Sequence, residues 1–177
     1  MTVTIYCSSS DKIDDVYKQE ARKLGDALGR NNINIINGAG NHGLMRVVAD
    51  AVMSAGGRAT GVIPRFMVEH GWCYDEMSEI ITVESMHERK KLMAERSDAA
   101  IALPGGIGTM EELVEIITWQ QLKLYTKPVI ILNTNNYYYH LLAMFDRSVG
   151  DGFMPQNFFP AVNVAATPEN VLQMLNV

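Results

Sequence analysis

Short apolar runs without alternation recur along the chain, separated by longer stretches whose apolar positions return every three or four residues. An unalternating run suits a strand covered on both faces, and the three-to-four spacing suits a helix lying on a sheet. The pattern predicts strands at Val3–Cys7, Ile33–Asn37, Arg58–Ile63, Ile80–Val83, Ala99–Leu103 and Val129–Leu132, with Val162–Ala165 as a seventh. It predicts helices at Asp14–Arg30, Gly43–Ala55, Met86–Arg96, Thr109–Leu122, Tyr138–Gly150 and Pro168–Leu175. Strands and helices that alternate from end to end define the α/β class, with a parallel sheet of about six or seven strands flanked by helices on both faces. No repeat, charge block or Pro/Ser-rich linker interrupts the pattern, so residues 1–177 read as one domain.

Composition narrows the function more than the fold. Apolar residues make up 47% and charged residues 20% of the chain, which is a globular balance. A net charge of −5 argues against nucleic-acid polymers and anionic membranes, both of which need a basic surface. The two cysteines, Cys7 and Cys73, form no CxxC pair and stand in no His/Cys cluster, so neither a disulfide framework nor a metal site is expected. The first residues enter a strand pattern at once, without a leader pattern, and no apolar run reaches the roughly 18 to 20 residues of a membrane span. A soluble, cytoplasmic protein is the expectation.

In open parallel sheets ligands bind beyond the carboxyl ends of the strands, and three loops there carry candidate chemistry. The first, Tyr6–Ser10 (YCSSS), offers hydroxyls to a phosphate or ribose, or else caps a turn. In the second, Asn37–Met45 (NGAGNHGLM), Gly38, Gly40 and Gly43 match G-x-G-x-x-G ahead of a helix. No acidic residue suited to a cofactor ribose follows at the expected distance, which favours a phosphate or nucleotide contact over a full dinucleotide site. His42 in this loop is a further polar neighbour. The third, Pro104–Thr109 (PGGIGT), lets backbone pass close to a ligand at a helix start, where N–H groups attract anions. Thr109-Met110-Glu111-Glu112 also has the T-x-x-E form of a capping box, so Glu112 belongs either to a site or to a cap.

The segment Ser85–Asp98 (SMHERKKLMAERSD) puts His87, Arg89, Lys90 and Lys91 near a helix start, where the dipole disfavours cations. A phosphate or the Glu112 carboxylate would supply a partner, while Lys91 suits a solvated face. In the helix Thr109–Leu122, apolar residues spread around most of the circumference. A helix apolar all round is buried, which predicts a homodimer through this helix, or else packing against the chain's own C-terminal segment.

On these residues the chain resembles the LOG family of cytokinin-activating phosphoribohydrolases, formerly labelled lysine decarboxylases. The resemblance covers nearly the whole chain and is most specific at SMHERKKLMA and LPGGIGTMEEL, which look like the family's M-H-x-R-K and P-G-G-x-G-T-x-x-E motifs. It implies a Rossmann-like fold, a dimer or larger assembly, and hydrolysis of a nucleoside 5′-monophosphate, AMP or an N6-modified cytokinin monophosphate, to free base and ribose 5-phosphate. Carried onto matching positions, Arg89 and Glu112 would be the catalytic pair. Ser9, Gly40, Met86, Lys90, Gly105, Gly106, Gly108, Thr109, Glu111 and Thr118 would line the nucleotide site, together with Glu69, whose loop is longer here. Asn37-Gly38-Ala39-Gly40 replaces the family's Y-G-G-G, Arg46 a usual glycine, and Ser8 the glycine of C-G-S-S, all on the phosphate and ribose side.

The implied chemistry accounts for both signs of charge. Breaking an N-glycosidic bond builds positive charge on the ribose, which a carboxylate at Glu112 would stabilise while it orients or deprotonates water. Arg89 would hold Glu112 ionised, and the glycine loop would take the 5′-phosphate. No metal or cofactor is called for. A decarboxylase would need a Schiff-base lysine, and Lys90, Lys91, Lys123 and Lys127 offer no distinguished one. A nucleotide-binding or carrier protein without catalysis is the alternative, disfavoured because phosphate binding alone has no use for Glu112.

Overall fold

The structure, a computed structural model, describes residues 1–156 and 162–177. In chain order the strands are β1 (Thr2–Tyr6), β2 (Asn34–Asn37), β3 (Ala59–Pro64), β4 (Glu79–Val83), β5 (Ala99–Ala102), β6 (Val129–Leu132) and β7 (Val162–Ala165). The helices are α1 (Asp15–Arg30), α2 (Gly43–Ser54), α3 (Arg65–Glu69), α4 (Met86–Glu95), α5 (Ile107–Gln121), α6 (Tyr139–Gly150) and α7 (Pro168–Met174), with a 3-10 turn at Thr134–Asn136. All seven predicted strands form. The pattern missed α3, which is too short for a helical repeat to show and buries no residue.

The strands make one parallel sheet in the order β4-β3-β2-β1-β5-β6-β7. On one face α1, α2 and α7 cover a core that includes Leu24, Leu28, Val48, Val52 and Val171. On the other, α4, α5 and α6 cover Tyr6, Ile36, Val62 and Ile131 with Met93, Leu113, Ile117 and Phe145. The inner strands are buried on both faces, which is why their sequences do not alternate: β5 reads AAIA and β6 reads VIIL, every residue buried.

From β1 the chain first winds outward through β2, β3 and β4, then crosses back to lay β5 on the other side of β1. The loops after β1 and β5 therefore leave in opposite directions, opening the crevice where ligands bind in such sheets. Backbone bonds from Leu103 N–H to the Tyr6 carbonyl (2.9 Å) and from Ser8 N–H to the Pro104 carbonyl (3.2 Å) hold the two loop bases together.

Candidate active site

Helix α5 begins at Ile107, two residues before the predicted start, with Gly106 as its N-cap. That shift decides the capping question. Thr109 and Glu112 lie inside the helix, no side chain caps its end, and the first N–H groups stay open toward the crevice. Ile107 is 85% exposed at this tip. A side-chain cap is found at α4 instead: the Ser85 hydroxyl accepts from Glu88 N–H (3.1 Å), and the Glu88 carboxylate accepts from the N–H of Glu84, the residue before the cap (2.9 Å).

The buried stripe of α5 runs Thr109, Glu112, Leu113, Ile116 and Ile117. Glu112 therefore points inward, 7% exposed. It enters no hydrogen bond or ion pair among the described residues, and burial pushes its carboxyl pKa up to about 7, against the lowering pull of Arg89. The buried stripe of α4 is Arg89, Lys90, Met93 and Ala94, so this helix opens its core-facing side with two cations.

Arg89 is 4% exposed. Its Nε donates to the Val62 carbonyl within β3 (3.1 Å) and its Nη2 to the Gly38 carbonyl just after β2 (3.0 Å). Nη1 lies 3.6 Å from the sulfur of Met86 and 3.9 Å from that of Met67. Burial lowers its pKa, partly offset by the Glu112 charge. The expected direct pairing of Arg89 with Glu112 is absent among the described residues. The guanidinium is spent on backbone carbonyls and acts on Glu112 through space, so it does not hold the carboxyl in the ordinary ionised range.

Both groups line a cavity of about 590 Å³ at the switch point. Loops on the β1–β5 side contribute Cys7, Ser8, Ser9, Ser10 and the helix start Gly106–Thr109. Loops on the β2–β4 side contribute Gly38, Gly40, Asn41, His42, Met45, Met67, Trp72 and Met86. One side offers hydroxyls and free N–H groups, and the other is dominated by three methionines and an indole.

The remaining predicted site residues divide. Ser9, Gly40, Met86, Gly106, Gly108, Thr109 and Glu111 line the cavity with Arg89 and Glu112. Gly105 lies buried behind the loop, where its carbonyl accepts from the Tyr137 hydroxyl (2.6 Å). Lys90 does not reach the cavity: its amine is engaged by Glu111 and by Glu115 (3.0 Å). Glu69 is exposed at the end of α3, and Thr118 is exposed on the outer face of α5, its hydroxyl donating to the Val114 carbonyl (2.8 Å). Lys91 lies on a solvated face beside Glu95 (3.8 Å), as expected.

The glycine loop after β2 is not a free phosphate cradle. Its helix start is already filled by the chain itself: Asp11 accepts from Gly43 N–H (2.8 Å) and meets His42 Nδ1 (2.8 Å), while the Ser8 carbonyl accepts from Leu44 N–H (2.8 Å). Gly43, at φ +63°, packs against the Ser8–Ser10 backbone with no room for a Cβ. The match to G-x-G-x-x-G thus reflects loop packing. Met67 and Trp72 are cavity residues that lay outside the candidate loops of the sequence; each stands alone in a short segment between strands, with no periodic signal to find it.

No lysine lines the cavity among the described residues. Lys127 is tied to the carbonyls of Ala94 (3.1 Å), Glu95 (3.2 Å) and Ser97 at the end of α4, and Lys123 is exposed. No three His, Cys, Asp or Glu side chains among these residues gather as a metal-holding group.

Fold and cavity together define a Rossmann-like α/β protein with a small-molecule site at the switch point of its sheet. The chain belongs to the LOG family, whose family model carries the description "Possible lysine decarboxylase" and matches residues 45–175. It is 45% identical over 153 residues to a rice protein (Oryza sativa subsp. japonica) named probable cytokinin riboside 5′-monophosphate phosphoribohydrolase, covering 86% of this chain and 67% of the relative. It is 39% identical over 173 residues to an Arabidopsis thaliana cytokinin riboside 5′-monophosphate phosphoribohydrolase, covering 98% of this chain and 80% of that protein. Among solved structures it resembles the molybdenum cofactor binding protein of Rippkaea orientalis, with TM-score 0.75 at 20% identity over 99% of this chain and 94% of that one. The molybdenum cofactor carrier protein of Chlamydomonas reinhardtii gives 0.74 at 18% identity, over 99% and 95%. These two likenesses concern the fold.

Proposed function

We propose that the protein hydrolyses the N-glycosidic bond of a nucleoside 5′-monophosphate, releasing the free base and ribose 5-phosphate. The observation that carries this reading is Glu112, a buried carboxylate without a hydrogen bond, set one turn inside a helix whose open N-terminus lines the same cavity. An anion site alone gains nothing from a carboxylate there. A substrate with a phosphate at one end and a ribose that becomes positive in the transition state uses both. The names of the rice and Arabidopsis relatives support the same reaction class.

In this reading the 5′-phosphate is held by the free N–H groups at Ile107–Thr109 and by the serine loop, which sets C1′ beside Glu112. The base extends toward Met45, Met67, Trp72 and Met86, an apolar setting that suits adenine and favours an N6-substituted adenine over a bare one. The C1′–N bond breaks with its electron pair leaving on the base. A water oxygen bonds to C1′ and gives its proton to Glu112, which returns it to solvent or to the departing base. A carboxyl with pKa near 7 exchanges that proton at little cost near neutral pH. Arg89, fixed by two carbonyls, supplies the positive charge that keeps Glu112 from being protonated still more readily.

The proposal extends to a cytoplasmic homodimer. Val114 on α5 is 42% exposed, and Leu122 and Leu124 just past its end are 63% and 71% exposed, so three apolar side chains stand uncovered along and just beyond this helix, beside the exposed Glu111, Thr118 and Gln121. Among the described residues no helix is long and apolar enough to cross a membrane.

The test is incubation with AMP, GMP, CMP and N6-isopentenyladenosine monophosphate, alongside the matching nucleosides, with free base measured. Release is expected from the adenine nucleotides, and the nucleosides should be slower by about 100-fold or more, since phosphate binding positions C1′. Binding of these nucleotides without any base release would support the carrier alternative.

A further inference from the structure

Lys90 follows Arg89 directly in α4, as Glu111 precedes Glu112 in α5. Its side chain is only 7% exposed, and its amine bridges Glu111 and Glu115, one turn apart on α5, the latter at 3.0 Å. A buried lysine has one ordinary reason to be tolerated, a well-placed counter-charge, and here it has two. No other ion pair joins these helices among the described residues.

We infer that Lys90 is a positioning residue rather than a substrate contact: by clamping Glu111 and Glu115 it fixes α5 against α4 and shields Glu112 from their charge. The inference rests on the proposed hydrolysis for its kinetic consequences and on geometry alone for the rest. The groups facing Glu112 are Tyr6 at the end of β1 and Cys7 just after it, Arg89 and Lys90 from α4, and Glu111 and Glu115 from its own helix. Burial raises the pKa of Glu112, Arg89 and Lys90 pull it down, and Glu111 and Glu115 push it up. Burial also works against the charge on Lys90, but its two carboxylate partners more than offset that and leave its pKa raised, so the clamp stays charged across the neutral range. The signs at Glu112 give the clamp a signature that a merely structural contact lacks. Removing Lys90 exposes Glu112 to two carboxylates and moves its titration upward; neutralising Glu115 removes one of them and moves it downward.

The experiment compares wild type, Lys90→Met, Lys90→Arg and Glu115→Gln in two readouts. In protein labelled with 13C at glutamate carboxyls, the Glu112 resonance, assigned by its loss in Glu112→Gln, reports titration without any turnover. Its midpoint should rise by roughly half to one pH unit in Lys90→Met, fall in Glu115→Gln, and return toward wild type in Lys90→Arg. In nucleotide hydrolysis, Lys90→Met should lower kcat by about 10-fold with KM nearly unchanged, and shift the acid limb of the kcat profile upward. Midpoints that coincide in all four proteins, or a Lys90→Met enzyme with raised KM and intact kcat, would overturn the assignment and make Lys90 a ligand contact or a bystander. If wild type releases no base from any nucleotide, the hydrolase reading fails, while the titration still decides the role of Lys90. If Lys90→Met does not fold, the downward shift in Glu115→Gln is the deciding result.

Discussion

A Cβ at position 38 would sit 1.5 Å from Nη2 of Arg89, so the glycine there keeps space for a guanidinium that arrives from far along the chain. Read in sequence, Gly38 looks like one glycine of a phosphate loop; only the fold reveals it as the seat of Arg89. Glu112 is the converse case, since its motif was legible and its orientation was not. Spacing from Thr109 allowed a cap, and the helix start at Ile107 removes that option. The burial that points Glu112 inward also has a thermodynamic consequence. Its carboxyl binds a proton up to about pH 7 in the folded chain, against an ordinary value of 4.5. Between those values the folded state holds a proton that the unfolded chain has lost, so this group's contribution to stability falls as pH rises through the window. Glu112→Gln should therefore be more stable than wild type above the window, by up to about 3 kcal/mol, and lose most of that advantage below it. Urea unfolding across pH checks this, and a variant with the same pH slope as wild type would show that Glu112 titrates normally.

At the scale of elements, the two site helices share one construction. Each lies on the same face of the sheet with an apolar buried stripe, Met93 and Ala94 on α4 or Leu113, Ile116 and Ile117 on α5, and each carries buried charge in the turn before those residues, Arg89 and Lys90 on α4 and Glu112 on α5. This explains why the basic cluster of α4 read as anomalous. Arg89 and Lys90 sit where the helix dipole is unfavourable, and each is compensated by partners from distant segments, carbonyls for one and carboxylates for the other. Strands were legible because burial on both faces leaves unbroken apolar runs, whereas long-range partners leave no local trace. The circumferential apolar pattern of α5 was legible as well. Its inner half is buried, while Val114 and Leu122 remain exposed, and the chain's own described C-terminal residues do not cover them. Leu122→Glu should leave the fold intact and shift the proposed homodimer toward monomer, which sedimentation velocity measures directly. A wild-type protein that already sediments as a monomer at micromolar concentration would rule out this interface.

For the whole molecule, the decisive feature is the strand order. Reversal at β1 and β5 gathers loops from both halves of the sheet over one crevice and gives the cavity two unlike sides, polar toward β5 and apolar toward β2 to β4. The order of elements was readable from the alternation of strand and helix, but not which loops would meet. The glycine loop after β2 seemed the stronger phosphate candidate by motif, yet Asp11 fills its helix start and leaves α5 as the open one. The proposed hydrolysis therefore depends on one carboxylate, Glu112, acting on a substrate held by that open helix start. The most direct measurement is base release by Glu112→Gln under saturating nucleotide, paired with nucleotide binding by calorimetry. Turnover should fall by about 100-fold or more while binding stays measurable, as expected when a general base is lost and the phosphate site is kept. Near wild-type turnover in that variant would contradict the mechanism.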